Sequence, residues 1–218
     1  KERRLTEQAD LRALCAGGIV HFMGVGGAGM YPLAELFLRS GGMVTGCDLK
    51  ESVALRDLEA LGARVFVGHD EAHIADAAAL VMTAAVPEDH PEVLAAKRAG
   101  IIVMKRSEAL GMWVASGRVI GIAGTHGKTT TTAMATEILA AAGMDPTGLV
   151  GGRVNDWDGN LRYGKGDVFV VEADEYDRSF LTLSPDIAII TNVEADHLDI
   201  YGDLDGVRSA FLEFVAGV

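Results

Sequence analysis

Cysteine, proline and aromatic residues are scarce in this 218-residue sequence, with Cys 2, Pro 5 and aromatics at 6%. The two cysteines, Cys15 and Cys47, cannot build a disulfide framework, and no CxxC spacing suggests zinc, so a reducing compartment fits. Long apolar runs are also missing. No stretch approaches the roughly 18 residues of a membrane span, and the charged start KERRLTEQADLRAL lacks the apolar segment of a signal peptide. The expectation is a soluble, cytoplasmic protein. Positive charge is short as well, because Lys+Arg 19 against Asp+Glu 31 gives a net charge of -12. That balance argues against broad neutralisation of nucleic-acid phosphates and leaves room only for a local anion site built from backbone N–H groups or isolated cations.

Glycine is plentiful, at 27 residues, and hydrophobic residues make up 49%, enough to bury one large or two smaller cores. The glycines sit at informative places. An apolar strand at residues 19–23 runs into GVGGAG and then an apolar helix from Met30. Gly24, Gly26 and Gly29 form GxGxxG, in which missing side chains allow a tight turn, a close phosphate and close helix packing. Asp48 closes the next strand, 19 residues beyond Gly29, the separation of an acidic residue that reaches a ribose hydroxyl. A helix at 52–61, strands at 64–67 and 80–83, a helix opened by Pro91 and a strand at 101–104 continue the alternation. This rhythm predicts a five-stranded parallel sheet. A helical connection at 107–114 leads to a new strand at 119–123, which places the domain division at 1–106 and 107–218.

The second opening is a shortened variant of the phosphate loop: Gly124, Thr125, His126, Gly127, Lys128, Thr129 and Thr130 lie between that strand and a helix at 131–142. Backbone N–H groups and a lysine suit a triphosphate, and a hydroxyl suits magnesium. After Gly151, Gly152 and a polar loop over 155–160, a strand at 167–172 ends in Glu172, Asp174, Glu175 and Asp177. Burying four unpaired carboxylates is costly, so a hard divalent cation is expected, with Glu172 as its ligand at the strand end. A further strand at 187–190 ends in Thr191 and Asn192, followed by Glu194, Asp196, His197 and Asp199. The C-terminal edge of such a sheet is where ligands sit. No serine elbow or Cys–His pair is present, so ATP is the expected source of activation; kinase, ATPase and ATP-driven ligase all remain open on these grounds.

HFMGVGGAGM, AGTHGKTTT, EADEYDRSF and TNVEADHLDIY, in this order, together resemble the Mur ligase family, over nearly the whole sequence. Within it, the likeness is strongest to members that add alanine to a UDP-sugar. The resemblance implies a Rossmann-like UDP-sugar-binding domain followed by part of a P-loop-type ATP-binding α/β domain, with the family continuing beyond Val218. It implies ATP-dependent activation of the carboxylate of UDP-N-acetylmuramate as an acyl phosphate, and attack by the amine of L-alanine. In that pattern Gly24, Gly26, Gly27, Ala28 and Gly29 lie near the diphosphate, and Asp48 towards the uridine, so NAD is not expected. His69, Thr83, Ala84, Ala85 and Arg106 match the substrate side. Lys128 matches a phosphate contact, Thr129 and Glu172 magnesium-associated positions, His197 a second metal position, and Asn192 a contact near the nucleotide. Neighbouring readings are a ligase that attaches a preformed peptide, and a fragment that only binds the UDP-sugar.

Overall fold

The computed structural model describes residues 11–218, apart from the side chains of residues 14–16. The charged segment 1–10 and the Cys15 side chain lie outside the described residues. After α1 (Leu11–Gly17), the first unit runs β1 (Ile19–Met23), α2 (Met30–Arg39), β2 (Met43–Asp48), α3 (Val53–Ala60), β3 (Arg64–Val67), β4 (Ala77–Met82), α4 (Pro91–Arg98) and β5 (Ile102–Lys105). Its five strands are parallel, in the order β3-β2-β1-β4-β5. Local signals agree with the elements. Ser52 caps α3 by accepting the Leu55 N–H, and Pro91 opens α4, where no intrahelical N–H is needed.

A second sheet follows α5 (Arg106–Val114). It consists of β6 (Arg118–Ala123), α6 (Lys128–Ala141), β7 (Thr147–Val154), β8 (Gly159–Arg162), β9 (Val168–Glu172) and β10 (Ile187–Ile190), and it is followed by α7 (Leu198–Tyr201) and α8 (Leu204–Ala216). The strand order is β10-β6-β9-β7-β8, with β8 antiparallel to β7 and the other pairs parallel. The sheet is therefore mixed, and the β7–β8 hairpin is an addition to the sequence reading. The stretch 155–160 read as a polar loop, yet Gly159 and Asn160 belong to β8, and the strand β7 before it, which contains Gly148, Gly151 and Gly152, had no counterpart in the sequence reading; Thr147, Gly148 and Leu149 pair with Phe169, Val170 and Val171 of β9. Tertiary pairing overrides the low strand propensity of glycine there. The helix expected from residue 131 begins at Lys128, which puts Lys128 and Thr129 in its first turn.

One hydrophobic core extends through both sheets, from Phe22 and Phe37 through Trp113 to Phe169, Phe180 and Phe214. The Phe37 and Trp113 ring centroids are 4.3 Å apart, so α5 is packed between the units rather than hanging as a linker. Its Gly111 faces the Thr182 carbonyl so closely that a Cβ would overlap it. Among the described residues, no helix is long and apolar enough to cross a membrane.

Candidate functional site

In the first sheet the crossovers leave β1 towards β2 and β4 towards β5, so the crevice between their C-terminal ends is the topological switch point. Gly24 stands there with φ +74, and a Cβ on it would lie 2.7 Å from Thr83 Cγ2 at the end of β4. A side chain is excluded by conformation and by space. Gly24 N and Val25 N donate to the Cys47 carbonyl at 2.8 and 3.1 Å. Gly26 N donates to Asp48 Oδ2 at 2.9 Å, so Asp48 holds the loop with one oxygen and keeps the other free of it. Beneath Gly29, the Arg106 guanidinium approaches to 3.1 Å of where a Cβ would sit. Arg106 makes no hydrogen bond or ion pair among the described residues.

The second loop, residues 124–127, is tied to the segment after β10. Thr125 N donates to the Asn192 carbonyl at 3.1 Å, and the Asn192 side chain takes the His126 N–H at 2.9 Å and gives its own N–H to the His126 carbonyl at 3.1 Å. Thr191 Oγ1 also donates to that carbonyl, at 2.6 Å, and Glu194 N donates to Thr125 Oγ1 at 2.9 Å. Gly124 has φ +138 and a Cβ on it would overlap Thr191 Oγ1, while Gly127, with φ +83, turns the chain into α6. Lys128 Nζ donates to the Gly124 carbonyl at 2.7 Å and to Glu175 Oε1 at 2.9 Å. Both side chains are largely buried, at 14% and 3% exposure, so this pair shapes the loop. Thr130 is exposed on the next helical position. Glu172 Oε2 accepts from Thr129 Oγ1 at 2.9 Å and from Gly151 N at 2.7 Å.

A cavity of about 320 Å³ lies between the first glycine loop and the C-terminal end of β9; residues 124–130 do not line it and connect to it through Glu172, which accepts from Thr129 Oγ1. Gly24, Gly27, Ala28, Gly29, Thr83 and Arg106 form one wall, and Gly151, Glu172 and Asp174 form the other. Asn160 of the hairpin spans the rim, donating to the Ala28 carbonyl at 3.2 Å. Ala84 lies in a smaller adjoining hollow with Arg106 and Asp177, and Ala85 is exposed, its N–H held by Thr83 Oγ1 at 3.0 Å. Two expected residues stand apart. His69 Nδ1 faces Cys47 Sγ and Glu92 Oε2, each at 3.2 Å, on the other side of the first sheet. His197 adopts a left-handed backbone, φ 50 and ψ 42, with its ring against Tyr176 at 5.3 Å and its Nε2 4.0 Å from Asp196, rather than beside Thr129 and Glu172.

Residues that the sequence reading left without a role are Glu175 as the partner of Lys128, Gly151 as an amide donor to Glu172, and Asn160 at the rim. Only Glu175 had a signal, being one of the clustered carboxylates after β9. Tyr201 completes its setting: the phenol donates to the Glu175 carbonyl, and burial pushes its pKa up to about 12, so it remains a donor. Chemically, the cavity and the neighbouring second loop together offer amide-rich turns, one unpartnered cation in the cavity (Arg106), one partnered cation beside it (Lys128), and the Glu172–Thr129 carboxylate–hydroxyl pair. That combination suits a phosphate-bearing ligand with a hard divalent cation.

Comparison with known proteins agrees with this layout. Residues 19–118 match the family model described as "Mur ligase family, catalytic domain", and residues 122–218 match "Mur ligase middle domain". A UDP-N-acetylmuramate–L-alanine ligase of Rubrobacter xylanophilus is 50% identical over 199 residues, covering 91% of this chain and 44% of that protein. Its counterpart in Bordetella pertussis is 50% identical over 196 residues, covering 89% and 42%. This chain therefore spans less than half the length of these relatives. Among solved structures, the UDP-N-acetylmuramate-alanine ligase of Thermotoga maritima aligns with TM-score 0.84 and 33% identity, over 92% of this chain and 47% of that one. The UDP-N-acetylmuramate:L-alanyl-gamma-D-glutamyl-meso-diaminopimelate ligase of Neisseria meningitidis aligns with TM-score 0.84 and 31% identity, over 92% and 68%.

Proposed function

This chain belongs to the Mur ligase family, and we propose that the intact protein joins L-alanine to UDP-N-acetylmuramate in an ATP-driven reaction of peptidoglycan precursor synthesis, in the cytoplasm. The observation that carries this reading is the shared cavity, with the first glycine loop on one wall and Glu172 on the other. A UDP-sugar held at residues 24–29 directs its carboxylate across the cavity towards a nucleotide held at residues 124–130. Residues 1–106 then act as the UDP-sugar-binding domain, and residues 107–218 as part of the central ATP-binding domain.

The first loop supplies amides to the diphosphate, with Asp48 towards the uridine and Arg106, Thr83 and Ala84 towards the sugar side. His69 and Ala85, expected on the substrate side, do not line the cavity: His69 faces Cys47 and Glu92, and Ala85 is exposed. On the other wall, Lys128, the loop amides and Asn192 position the triphosphate. The residues present fit magnesium: Thr129 Oγ1 and Glu172 Oε2 are hard oxygen donors 2.9 Å apart, and neighbouring ligands of an octahedral ion with bonds of about 2.0–2.1 Å lie at about that separation. Magnesium there would offset phosphate charge; His197 is the candidate for a second ion. The carboxylate oxygen attacks the γ-phosphorus, ADP leaves, and the amine of alanine then attacks the acyl carbon and expels phosphate. Positioning and charge stabilisation carry the first step, because phosphoryl transfer leaves little covalent work for side chains.

The equal TM-score of the Neisseria meningitidis protein favours a second reading, in which the amine belongs to a preformed peptide. Phosphate release by the intact protein with L-alanine and with such a peptide separates the two. Alanine-dependent release supports the first, and release with peptide alone overturns it. Calorimetry of this chain with UDP-N-acetylmuramate, uridine nucleotides and NAD tests the first loop in a fragment that only binds. Tight NAD binding without UDP-sugar binding would remove the premise.

A further inference from the structure

The face of the first sheet turned away from the cavity carries a cluster that the ligase reading leaves unused. His21 lies on β1 and Thr45 and Cys47 on β2, in register His21↔Thr45 and Met23↔Cys47, so the strand alternation aims all three at that face. Glu92, in the first turn of α4, comes down onto them, and His69 approaches from the loop after β3. His21 and Cys47 are fully buried and Glu92 is 1% exposed. We propose that His21, Cys47, Glu92 and His69 form a binding site for a zinc-type divalent cation beneath the first glycine loop.

The distances carry the argument. Cys47 Sγ lies 3.4 Å from His21 Nε2, 3.2 Å from His69 Nδ1 and 3.5 Å from Glu92 Oε2, and His69 Nδ1 lies 3.2 Å from the same carboxylate oxygen. Zinc bonds of about 2.3 Å to sulfur and about 2.0–2.1 Å to nitrogen or oxygen put tetrahedral ligand atoms about 3.3–3.6 Å apart. The ligand atoms of His21, Cys47 and Glu92 lie within 4.8 Å of one another, and His69 Nδ1 joins the Cys47 and Glu92 side of that group. Thiolate, imidazole and carboxylate together suit zinc better than magnesium or calcium.

The surroundings are those of a metal centre. His21 uses its other nitrogen, Nδ1, on Thr45 Oγ1 at 2.8 Å, and Glu92 Oε1 accepts the Asp70 N–H at 2.7 Å, so both ligands are oriented from outside. Burial, with His73, His69 and Arg64 nearby, lowers the pKa of His21 to about 3, which keeps the imidazole neutral and its lone pair available. Burial and the charge of Glu92 push the Cys47 thiol up, so the thiol is protonated until a cation displaces that proton to solvent. A dication with one thiolate and one carboxylate is a neutral unit, the form that burial tolerates. His73 Nδ1 lies 3.4 Å from Glu92 Oε1, the carboxylate oxygen farther from Cys47, without a hydrogen bond of its own. Because the Cys47 carbonyl receives the Gly24 and Val25 N–H groups, an ion here would pin the base of the glycine loop.

The test uses the intact protein, metal-free and reduced, with Cys15→Ser to remove the second thiol of this segment. Stoichiometric Co²⁺ is expected to give a thiolate-to-cobalt charge-transfer band in the near ultraviolet, displaced by Zn²⁺, and Zn²⁺ is expected to raise the thermal midpoint. Both responses are expected to vanish in Cys47→Ser, with circular dichroism checking its fold. Should that variant not fold, zinc-edge X-ray absorption of the zinc-loaded Cys15→Ser protein reads sulfur in the coordination shell directly. Absence of the cobalt band, its survival in a folded Cys47→Ser variant, or a shell without sulfur overturns the site. None of these readouts depends on ligase activity.

Discussion

Replacing Lys128 with Met separates what this lysine does for the fold from what it does for a nucleotide. In the wild type, Nζ holds the Glu175 carboxylate at 2.9 Å, with side-chain exposures of 14% and 3%. Removing one partner of a buried pair leaves the other charge uncompensated, a loss of roughly 3–5 kcal/mol. Residual exposure of Lys128 lets some water reach the carboxylate, so about 3 kcal/mol is expected for Lys128→Met. Glu175→Gln in the same chain removes the stranded charge and is expected to restore about 2 kcal/mol, a coupling of the size seen for side chains in direct contact. ATP binding should follow a different course. One charge-assisted bond to phosphate is worth roughly 1.5–3 kcal/mol, about 10- to 150-fold in affinity, and the second substitution cannot replace it. Urea unfolding midpoints of the wild type, both single variants and the double variant give the stability cycle, and calorimetry with ATP and magnesium gives the binding. Equal stability of Lys128→Met and wild type would refute the structural half of this reasoning. Recovery of ATP affinity in the double variant would refute the functional half.

Lowering the pH should destabilise the fold through His21. Its folded-state pKa of about 3 lies below the ordinary 6.5, so its contribution is complete above about pH 6.5 and is lost on acidification towards pH 3, by about 1.4 kcal/mol per pH unit while only the unfolded form takes up the proton. Urea midpoints of the metal-free protein at pH 7 and pH 5 test this, and an unchanged midpoint counts against it. Gly24→Ala places a Cβ 2.7 Å from Thr83 Cγ2 at φ +74, with an expected loss of roughly 1–3 kcal/mol and weaker UDP-sugar binding by calorimetry. Asn192→Ala removes two hydrogen bonds to the His126 backbone, which should loosen the second loop and reduce ATP affinity about tenfold while UDP-sugar affinity holds. Arg106→Ala should do the reverse, weakening the UDP-sugar about 10- to 100-fold with little change in stability, since a half-buried guanidinium without a protein partner is free to serve a ligand.

The first sheet was legible because its strands are apolar runs and most of its crossovers leave a helical period between them; the exception is β4, read at 80–83 and found at Ala77–Met82, after a connection that holds only a short 3-10 turn at Glu71–Ile74. Strand 64–67 was read to the residue, and the strand at 101–104 was displaced by one. The hairpin β7–β8 was not legible. Its glycines favour a loop locally, and long-range pairing makes strand of Gly148, opposite Val170 of β9, and of Gly159, opposite Val154. Both glycine loops were legible for the same reason that they exist: Gly24 and Gly124 have no room for a Cβ. Long-range partners were invisible in the sequence. Nothing in the spacing of Lys128 and Glu175 says that they meet, and Cys47, read only as half of an absent disulfide framework, lies among three ligand-type side chains contributed by separate elements.

On the proposed function, an acidic chain hosts phosphates because Arg106 in the cavity and Lys128 beside it are prepared differently. Arg106 reaches the cavity with no carboxylate bound to it, so an anion arriving at the first loop displaces only water. Lys128 is already neutralised by Glu175 and bound to the Gly124 carbonyl, which keeps the second loop in shape before any ligand arrives. A triphosphate must take over part of that ion pair, and the released Glu175 charge then stands near Glu172 and Asp174. Those carboxylates repel a bare nucleotide and favour one that brings a divalent cation with it. These local carboxylates, rather than the net charge of -12 as a whole, would on the proposed function favour a nucleotide that carries a divalent cation.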